Sequence, residues 1–378
     1  MTKTILCAIG TRPEAIKMAP VILGLQADPN FNCRVIATAQ HRQMLDQMLA
    51  IFGIKPDIDL DIMQPNQGLT GLTGRLLMRL DDVLKSEQPD AILAQGDTTT
   101  VLATALAGFY AGIPFGHVEA GLRTGNIRNP FPEEMNRVVS SHLARWHFAP
   151  TDMAADRLRA EGYGEDQIVI TGNTVIDSLY HVVAMKPETG LDLDPDKRLL
   201  LVTLHRRENF GEPLERICKA LANIVEEHPD TQLVLPVHHN PNVREVVQAR
   251  FKGVHRVILC EPLDYTAFVA TMQQAHLILS DSGGVQEEAP ALGKPVLVLR
   301  ETTERPEAVE AGVARLIGTQ TERIENAARE LLTDPDAYAD MVRDVSPYGD
   351  GKAAARILQT LRKDLVGLVK GTQLEADM

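Results

Sequence analysis

The segment Ser280-Asp281-Ser282-Gly283-Gly284-Val285-Gln286-Glu287-Glu288 has the residue types of an anion seat. The apolar run Leu277-Ile278-Leu279 before it reads as a buried strand, and residues 285–292 after it read as a helix that stops before Pro295. A strand, a Ser/Gly turn and a helix N-terminus aim backbone N–H groups and the positive end of the helix dipole at one spot. The turn lacks the Gly-Lys-Ser/Thr of a Walker loop, and it is not Gly-x-Gly-x-x-Gly. It therefore points to a phosphate-bearing ligand other than a P-loop nucleoside triphosphate or a dinucleotide held in the common way. An ordinary glycine-rich turn is the structural alternative. Glu288 lies about one and a half turns into the helix, where a carboxylate can accept both hydroxyls of a ribose.

Other residues have chemistry of the same kind. Thr11 and Glu14 have the spacing of a capping box, with Pro13 in the first turn. That role accounts for Glu14 but not for Arg12 and Lys17, cations near a helix N-terminus that the dipole disfavours. Phosphate contact would justify both; a solvated cation is the alternative. Asp97 and Glu119 each follow an apolar strand, and Glu133 lies in the proline-shaped run Asn129-Pro130-Phe131-Pro132-Glu133-Glu134. Carboxylates that share one cleft suit proton transfer, because their surroundings can push their pKa values apart. His205, followed by Arg206-Arg207-Glu208-Asn209, is a candidate phosphate or general-acid contact. Arg305 opens another predicted helix and can clamp an anion bidentately, or form a surface salt bridge. His238-His239 lacks a third ligand at short spacing, so a metal is not the favoured reading.

These residues must be positioned by regular elements. Strands are predicted at 5–9, 34–38, 91–95, 115–118, 147–149 and 168–171, then at 199–204, 233–237, 257–259, 277–279, 296–299 and 315–317. Helices are predicted at 16–25, 70–87, 101–111, 214–228 and 321–333, with another at 174–185 beside the polar break 186–197. Continuous apolar strands separated by helices mean parallel sheets covered on both faces. Two such series mean two doubly wound domains. Ligands in such sheets sit beyond the carboxyl ends of the strands, and the cleft between two sheets is the expected site. Polar residues collect there: Gly10-Thr11-Arg12, Gln40-His41-Arg42, Gly96-Asp97-Thr98 and Glu119 in the first series, and His205–Asn209, His238-His239-Asn240, Glu261 and Ser280-Asp281-Ser282 in the second.

Composition limits the alternatives. A chain of 378 residues is too long for one core. Apolar content of 44% with 24% charged residues is ordinary for a soluble globular protein. No apolar run approaches the ~20 residues of a membrane span, and the N-terminal run is too short for a signal sequence. The four cysteines, Cys7, Cys33, Cys218 and Cys260, show no metal or redox spacing, as expected of a cytoplasmic protein. A net charge of −13 disfavours nucleic acid or an acidic membrane surface as partner.

In order along the chain come 10–20 (Gly-Thr-Arg-Pro-Glu-Ala-Ile-Lys-Met-Ala-Pro), Gly96-Asp97-Thr98-Thr99-Thr100, His117-Val118-Glu119-Ala120-Gly121-Leu122-Arg123-Thr124, and Pro132-Glu133-Glu134 with Asn136-Arg137. Thr171-Gly172-Asn173-Thr174, His205-Arg206-Arg207-Glu208, residues 281–290 and Thr302-Thr303-Glu304-Arg305-Pro306-Glu307 follow. With these blocks, from about residue 5 to 356, the chain resembles the bacterial non-hydrolysing UDP-N-acetylglucosamine 2-epimerases. The resemblance implies a GT-B-like fold of two Rossmann-type domains with UDP in the interdomain cleft, and a homodimer. It implies domains at 1–170 and 171–352, with a C-terminal helix at about 353–378 packing back on the first. It implies that Asp97, Glu119, Glu133 and His205 are catalytic, and that Arg12, Lys17, Phe268, Ser282, Gly283, Gly284, Glu288 and Arg305 contact the nucleotide sugar. Phe131 stands where a larger aromatic is common, and Leu263 where a Gln occurs, so no side-chain contact is carried over to Leu263.

Inverting C2 of an N-acetylglucosamine ring is hard because its C–H is not next to a carbonyl. One route oxidises a neighbouring hydroxyl with NAD, and this chain lacks the fingerprint for that. The other expels UDP from C1 as a base removes the C2 proton, giving 2-acetamidoglucal, and then adds UDP back with the proton delivered to the opposite face. The expectation is therefore interconversion of UDP-N-acetylglucosamine and UDP-N-acetylmannosamine with no cofactor and no metal. A UDP-sugar glycosyltransferase of the same fold, a hydrolysing 2-epimerase and a non-catalytic sensor are the alternatives.

Overall fold

The structure is a computed structural model that describes residues 2–38, 42–63, 67–343 and 345–367. It divides into two compact units: one runs to Ser178 and takes in the segment from Gly351, the other is Leu179–Asp350. In the first, strands β1 (Lys3–Ile9), β2 (Phe31–Ala37), β3 (Ile58–Asp59), β4 (Ala91–Gln95), β5 (Phe115–Val118), β6 (Ala144–Ala149) and β7 (Ile168–Ile170) form a parallel sheet in the order β3-β2-β1-β4-β5-β6-β7. In the second, β8 (Arg198–Thr203), β9 (Thr231–Pro236), β10 (Val257–Cys260), β11 (Ala275–Ser280), β12 (Val296–Val298) and β13 (Ala314–Leu316) form a parallel sheet in the order β10-β9-β8-β11-β12-β13.

The apolar pattern explains both sheets. Every residue of β4, Ala91-Ile92-Leu93-Ala94-Gln95, is buried, because helices cover a parallel sheet on both faces and leave no polar alternation. The helix Leu69–Glu87 sets Leu72, Leu76, Leu80 and Leu84 at four-residue intervals on one face, and these join Ile92 and Ala94 in the core. In the second unit Leu214, Ile217, Leu221 and Ile224 of the helix Glu212–Glu227 pack with Leu200 and Leu233 of the sheet and Leu331 of the helix Thr321–Thr333. The predicted strands are all present, with ends shifted by a few residues. The added strand β3 has two residues, paired with Ile36 and Ala37, and is too short to leave a pattern.

Strand order reverses between β1 and β4, and again between β8 and β11. At such a switch point the flanking loops diverge and leave a crevice. The loops that do so carry Gly10-Thr11-Arg12 and Gly96-Asp97-Thr98 in one unit, and His205-Arg206 and Asp281-Ser282-Gly283 in the other. Gln40 and His41, also predicted to end a strand, lie outside the described residues, as does the side chain of Arg42.

The helix Ala353–Leu361 belongs to the first unit. Asp177 caps it, accepting from the N–H groups of Ala353 at 3.1 Å and Ala354 at 2.9 Å. Leu358 packs against Gly24, and Trp146 Nε1 donates to Asp364 at 2.7 Å. The part of the predicted C-terminal helix beyond Gly367 lies outside the described residues. Among the described residues no helix is long and apolar enough to cross a membrane.

Candidate active site

In the first unit the loop after β1 turns at Gly10. A Cβ there would lie 2.5 Å from Thr38 Oγ1 and closer still to Thr100 Oγ1, two buried hydroxyls that bond each other at 2.8 Å. Only glycine fits. The expected capping box is present: Glu14 N donates to Thr11 Oγ1 at 3.4 Å, and Glu14 Oε2 accepts from Thr11 N at 2.9 Å. Glu14 does more than cap. Its Oε2 also accepts from Gly10 N, and its Oε1 accepts from Thr98 Oγ1, each at 2.5 Å. One buried carboxyl thus ties the loop bearing Arg12 to the loop bearing Asp97. Burial pushes its pKa up to about 7 against these hydrogen bonds, with the charge of Asp97 adding to the rise.

Asp97 Oδ2 accepts from Arg137 at 2.7 Å, and its backbone carbonyl accepts from Asn136 Nδ2 at 2.8 Å. Burial raises the Asp97 pKa; Arg137 and Lys17 oppose the rise, and Glu119 and Glu133 reinforce it. Two of the carboxylates singled out in the sequence, Glu119 and Glu133, therefore act electrostatically on the third, Asp97. Glu119 sits at φ 65°, in the left-handed region, where a residue with a Cβ is strained by about 1–3 kcal/mol. Its carboxylate accepts from Lys17 Nζ, Gln95 Nε2 and Asn173 Nδ2, the last at 3.0 Å. Lys17 is thus a partner of Glu119 within this unit. Glu133 is half-buried at the start of the helix Glu133–Leu143, and Arg12 is exposed at the start of the helix Arg12–Ala27. Beneath the cluster, His117 Nε2 donates to the Gly96 carbonyl at 2.7 Å, and burial lowers its pKa to about 4.

In the second unit Asp281 is fully buried and organises the β8 and β11 loops. Its carboxylate accepts from the backbone N–H groups of His205 (3.0 Å) and Arg206 (3.0 Å), from Asn209 Nδ2 (3.1 Å) and from His205 Nδ1 (3.0 Å). Burial alone would raise its pKa, but the bonds and charge of His205 and the Arg206 N–H outweigh burial and lower it. The predicted anion turn follows: Ser282 precedes the helix Gly283–Ala291, and Ser282 N donates to Ser280 Oγ at 2.9 Å. The helix then fixes three consecutive side chains. Gln286 accepts from Thr303 Oγ1 at 2.6 Å, Glu287 pairs with Arg305, and Glu288 accepts from Tyr265 Oη at 2.6 Å. Phe268 lies one turn beyond Tyr265 on the helix Tyr265–Gln274.

The sequence patterns did not single out Gln95, Asn173 and Arg137 as carboxylate partners, or Asp281 and Tyr265 as holders of His205 and Glu288. Their signals were faint: a Gln closing an apolar strand, and polar residues inside longer blocks. Arg206 is a further case, with Nη2 3.5 Å from where a Cβ of Gly283 would lie. The first unit thus presents three carboxylates and an ammonium, and the second presents a Ser-Gly-Gly helix start flanked by a histidine, an arginine and a carboxylate.

Residues 24–362 match the family described as UDP-N-acetylglucosamine 2-epimerase. The Yersinia pestis protein named UDP-N-acetylglucosamine 2-epimerase is 54% identical over 374 residues, covering 96% of this chain and 100% of that protein. A Neisseria meningitidis UDP-GlcNAc 2-epimerase, solved bound to UDP-GlcNAc, is similar at 47% identity and a TM-score of 0.88, covering 96% of this chain and 100% of its own. The S. aureus MnaA–UDP co-structure is similar at 44% identity and a TM-score of 0.87, covering 98% of this chain and 99% of its own.

Proposed function

The chain belongs to the UDP-N-acetylglucosamine 2-epimerase family, with its GT-B-like pair of doubly wound domains, and we propose that it interconverts UDP-N-acetylglucosamine and UDP-N-acetylmannosamine without hydrolysis. The observation that carries this reading is the grouping of Glu119, Glu133 and Lys17 about Asp97, with Lys17 bonded to Glu119. Moving a proton off one face of C2 and onto the other requires acid and base groups with unequal proton affinities. Asp97, raised by burial and by its carboxylate neighbours, takes up a proton more readily than an ordinary aspartate. Glu119, tied to Lys17, Gln95 and Asn173, is held in one place for transfer.

Expelling UDP puts charge on the leaving diphosphate. Fixed donors aimed at developing charge stabilise it more than water does. Ser282, Gly283 and Gly284 supply the turn, His205 supplies an Nε2 directed by Asp281, and Arg12 and Arg305 supply guanidinium groups. Glu288 serves the ribose and Phe268 the nucleotide. The bond between C1 and the phosphate oxygen breaks as the C2 proton leaves, giving 2-acetamidoglucal and UDP; re-addition reverses both events with the proton on the other face. No water is consumed. The same reading includes a homodimer, which light scattering of the purified protein checks.

Incubation with UDP-N-acetylglucosamine alone in heavy water tests the reaction. NMR should show a mixture with UDP-N-acetylmannosamine and deuterium at C2. Accumulation of free N-acetylmannosamine and UDP would move the protein to the hydrolysing class. Epimerisation with an oxygen-18 label fixed in the C1–O bridge, under conditions where phosphate rotation is unhindered, would sink the elimination route.

A further inference from the structure

We propose that Tyr265 is a specificity-determining positioning residue that, through its hydroxyl, holds the Glu288 carboxylate to receive the ribose diol of bound UDP. This rests on the reading of the second unit as the UDP site. Glu288 and Tyr265 are both buried, 6% and 8% exposed, and their oxygens are 2.6 Å apart. An ionised carboxylate only accepts, so Tyr265 must donate. Burial and the charge of Glu288 keep that phenol protonated far above neutral pH, so the donor persists across the working range.

The placement gives the pair its task. Glu288 stands four residues after Gly284, and its Oε2 comes within 3.9 Å of where a Cβ of Gly284 would lie. A carboxylate is therefore set one helical turn from the phosphate turn, where it would repel a diphosphate unless its charge were directed elsewhere. Gln286 and Glu287, its chain neighbours, are tied to Thr303 and Arg305. Glu288 is tied to the helix Tyr265–Gln274, which also bears Phe268. A ribose lies between phosphate and base in any nucleotide, so a carboxylate steered from the phosphate turn toward the helix of Phe268 meets the sugar hydroxyls. Without the Tyr265 hydroxyl the carboxylate keeps its charge but loses its bond to the helix that bears Phe268.

Tyr265→Phe removes one oxygen and preserves the ring that fills the core. The test is calorimetric binding of UDP and of 2′,3′-dideoxy-UDP to the intact protein and to three variants: Tyr265→Phe, Glu288→Ala and the double substitution. The unaltered protein should prefer UDP. Tyr265→Phe should weaken UDP on the order of tenfold, the scale of one hydrogen bond to a charged group, and leave dideoxy-UDP nearly unchanged. On the Glu288→Ala background, Tyr265→Phe should add nothing. Equal losses for both nucleotides, unchanged UDP affinity in Tyr265→Phe, or no preference for UDP in the unaltered protein would each overturn the proposal. Failure of the unaltered protein to bind either nucleotide would instead overturn the UDP reading on which it rests.

Discussion

The Nδ1 of His205 donates to the fully buried carboxylate of Asp281 at 3.0 Å, while the backbone N–H of the same histidine donates to the same carboxylate. Ring and backbone are thus held by one group, and the tautomer is set with the proton on Nδ1 and the other nitrogen available to a ligand. Burying a carboxylate is costly unless donors surround it, and the His205, Arg206 and Asn209 donors do so here.

Asp281→Asn tests this arrangement. The amide can accept from the backbone N–H groups but offers an N–H toward His205, which imposes the other tautomer. Turnover should fall about 10²-fold, the usual scale of a lost general acid–base or oriented donor contribution. The pH profile should change shape as well as height. Near-normal kcat with an unaltered profile would mean that Asp281 only supports the loops.

Asp97→Asn, Glu119→Gln and Glu133→Gln should each cut kcat by roughly 10²-fold. Their stabilities should separate. Glu119→Gln turns an amide N–H toward donors from Lys17, Gln95 and Asn173, and should cost about 1–3 kcal/mol in thermal or urea unfolding. Glu133 is only half-buried at a helix start, so Glu133→Gln should unfold almost as the unaltered protein does. Normal turnover in any one variant would remove that residue from the chemistry.

Arg305 has two tasks that a pair of variants can separate. Arg305→Ala should weaken UDP binding by roughly 1.5–3 kcal/mol. It should also destabilise the fold by roughly 3 kcal/mol, because Glu287, 2% exposed, loses its cationic partner. Replacing both by Met should restore stability but not UDP affinity. If UDP affinity, read by calorimetry, recovers as well, the arginine is structural only.

Acid should destabilise the first unit through its buried histidines. Burial lowers His117 from 6.5 to about 4 and His147 from 6.5 to about 3. The unfolded chain binds more protons in this window, so the stability present above pH 6.5 is lost as pH falls toward 4. His117 alone accounts for roughly 3 kcal/mol by this linkage. His147→Phe should flatten the acid limb of a stability–pH curve; an unchanged limb would exclude His147 as a cause.

Glu14 should contribute with the opposite sign. Its folded pKa of about 7 lies above the ordinary 4.5, so its contribution is complete below pH 4.5 and is lost as pH rises through 7. Glu14→Gln mimics the protonated form: its carbonyl accepts from Gly10 and Thr11, and its amide donates to Thr98. The stability difference between the variant and the unaltered protein should therefore grow in the variant's favour between pH 5 and pH 8, by about 3 kcal/mol at most. A difference that does not vary with pH would place the Glu14 carboxyl outside this linkage.

The longer strands, several of the helices and the Ser/Gly turn were legible in the chain because their causes are local, whereas the two-residue β3 and helices such as Pro241–Phe251 and Tyr265–Gln274 were not predicted. Apolar runs such as Ala91-Ile92-Leu93-Ala94 must be buried whatever surrounds them, and Thr11 with Glu14 caps a helix through contacts a few residues apart. Long ordered blocks also made the family legible before any coordinate. Pairings across distant segments were not legible: Glu119 with Lys17 and Asn173, Glu14 with Thr98, Asp281 with His205, Tyr265 with Glu288. Each joins loops or helices that only a sheet's strand order brings together. A hydrogen bond depends on a few tenths of an ångström, which no pattern of residue types specifies. The sequence by itself determined which groups were available. The parallel pairing of β1 with β4 and of β8 with β11 decided which of them met.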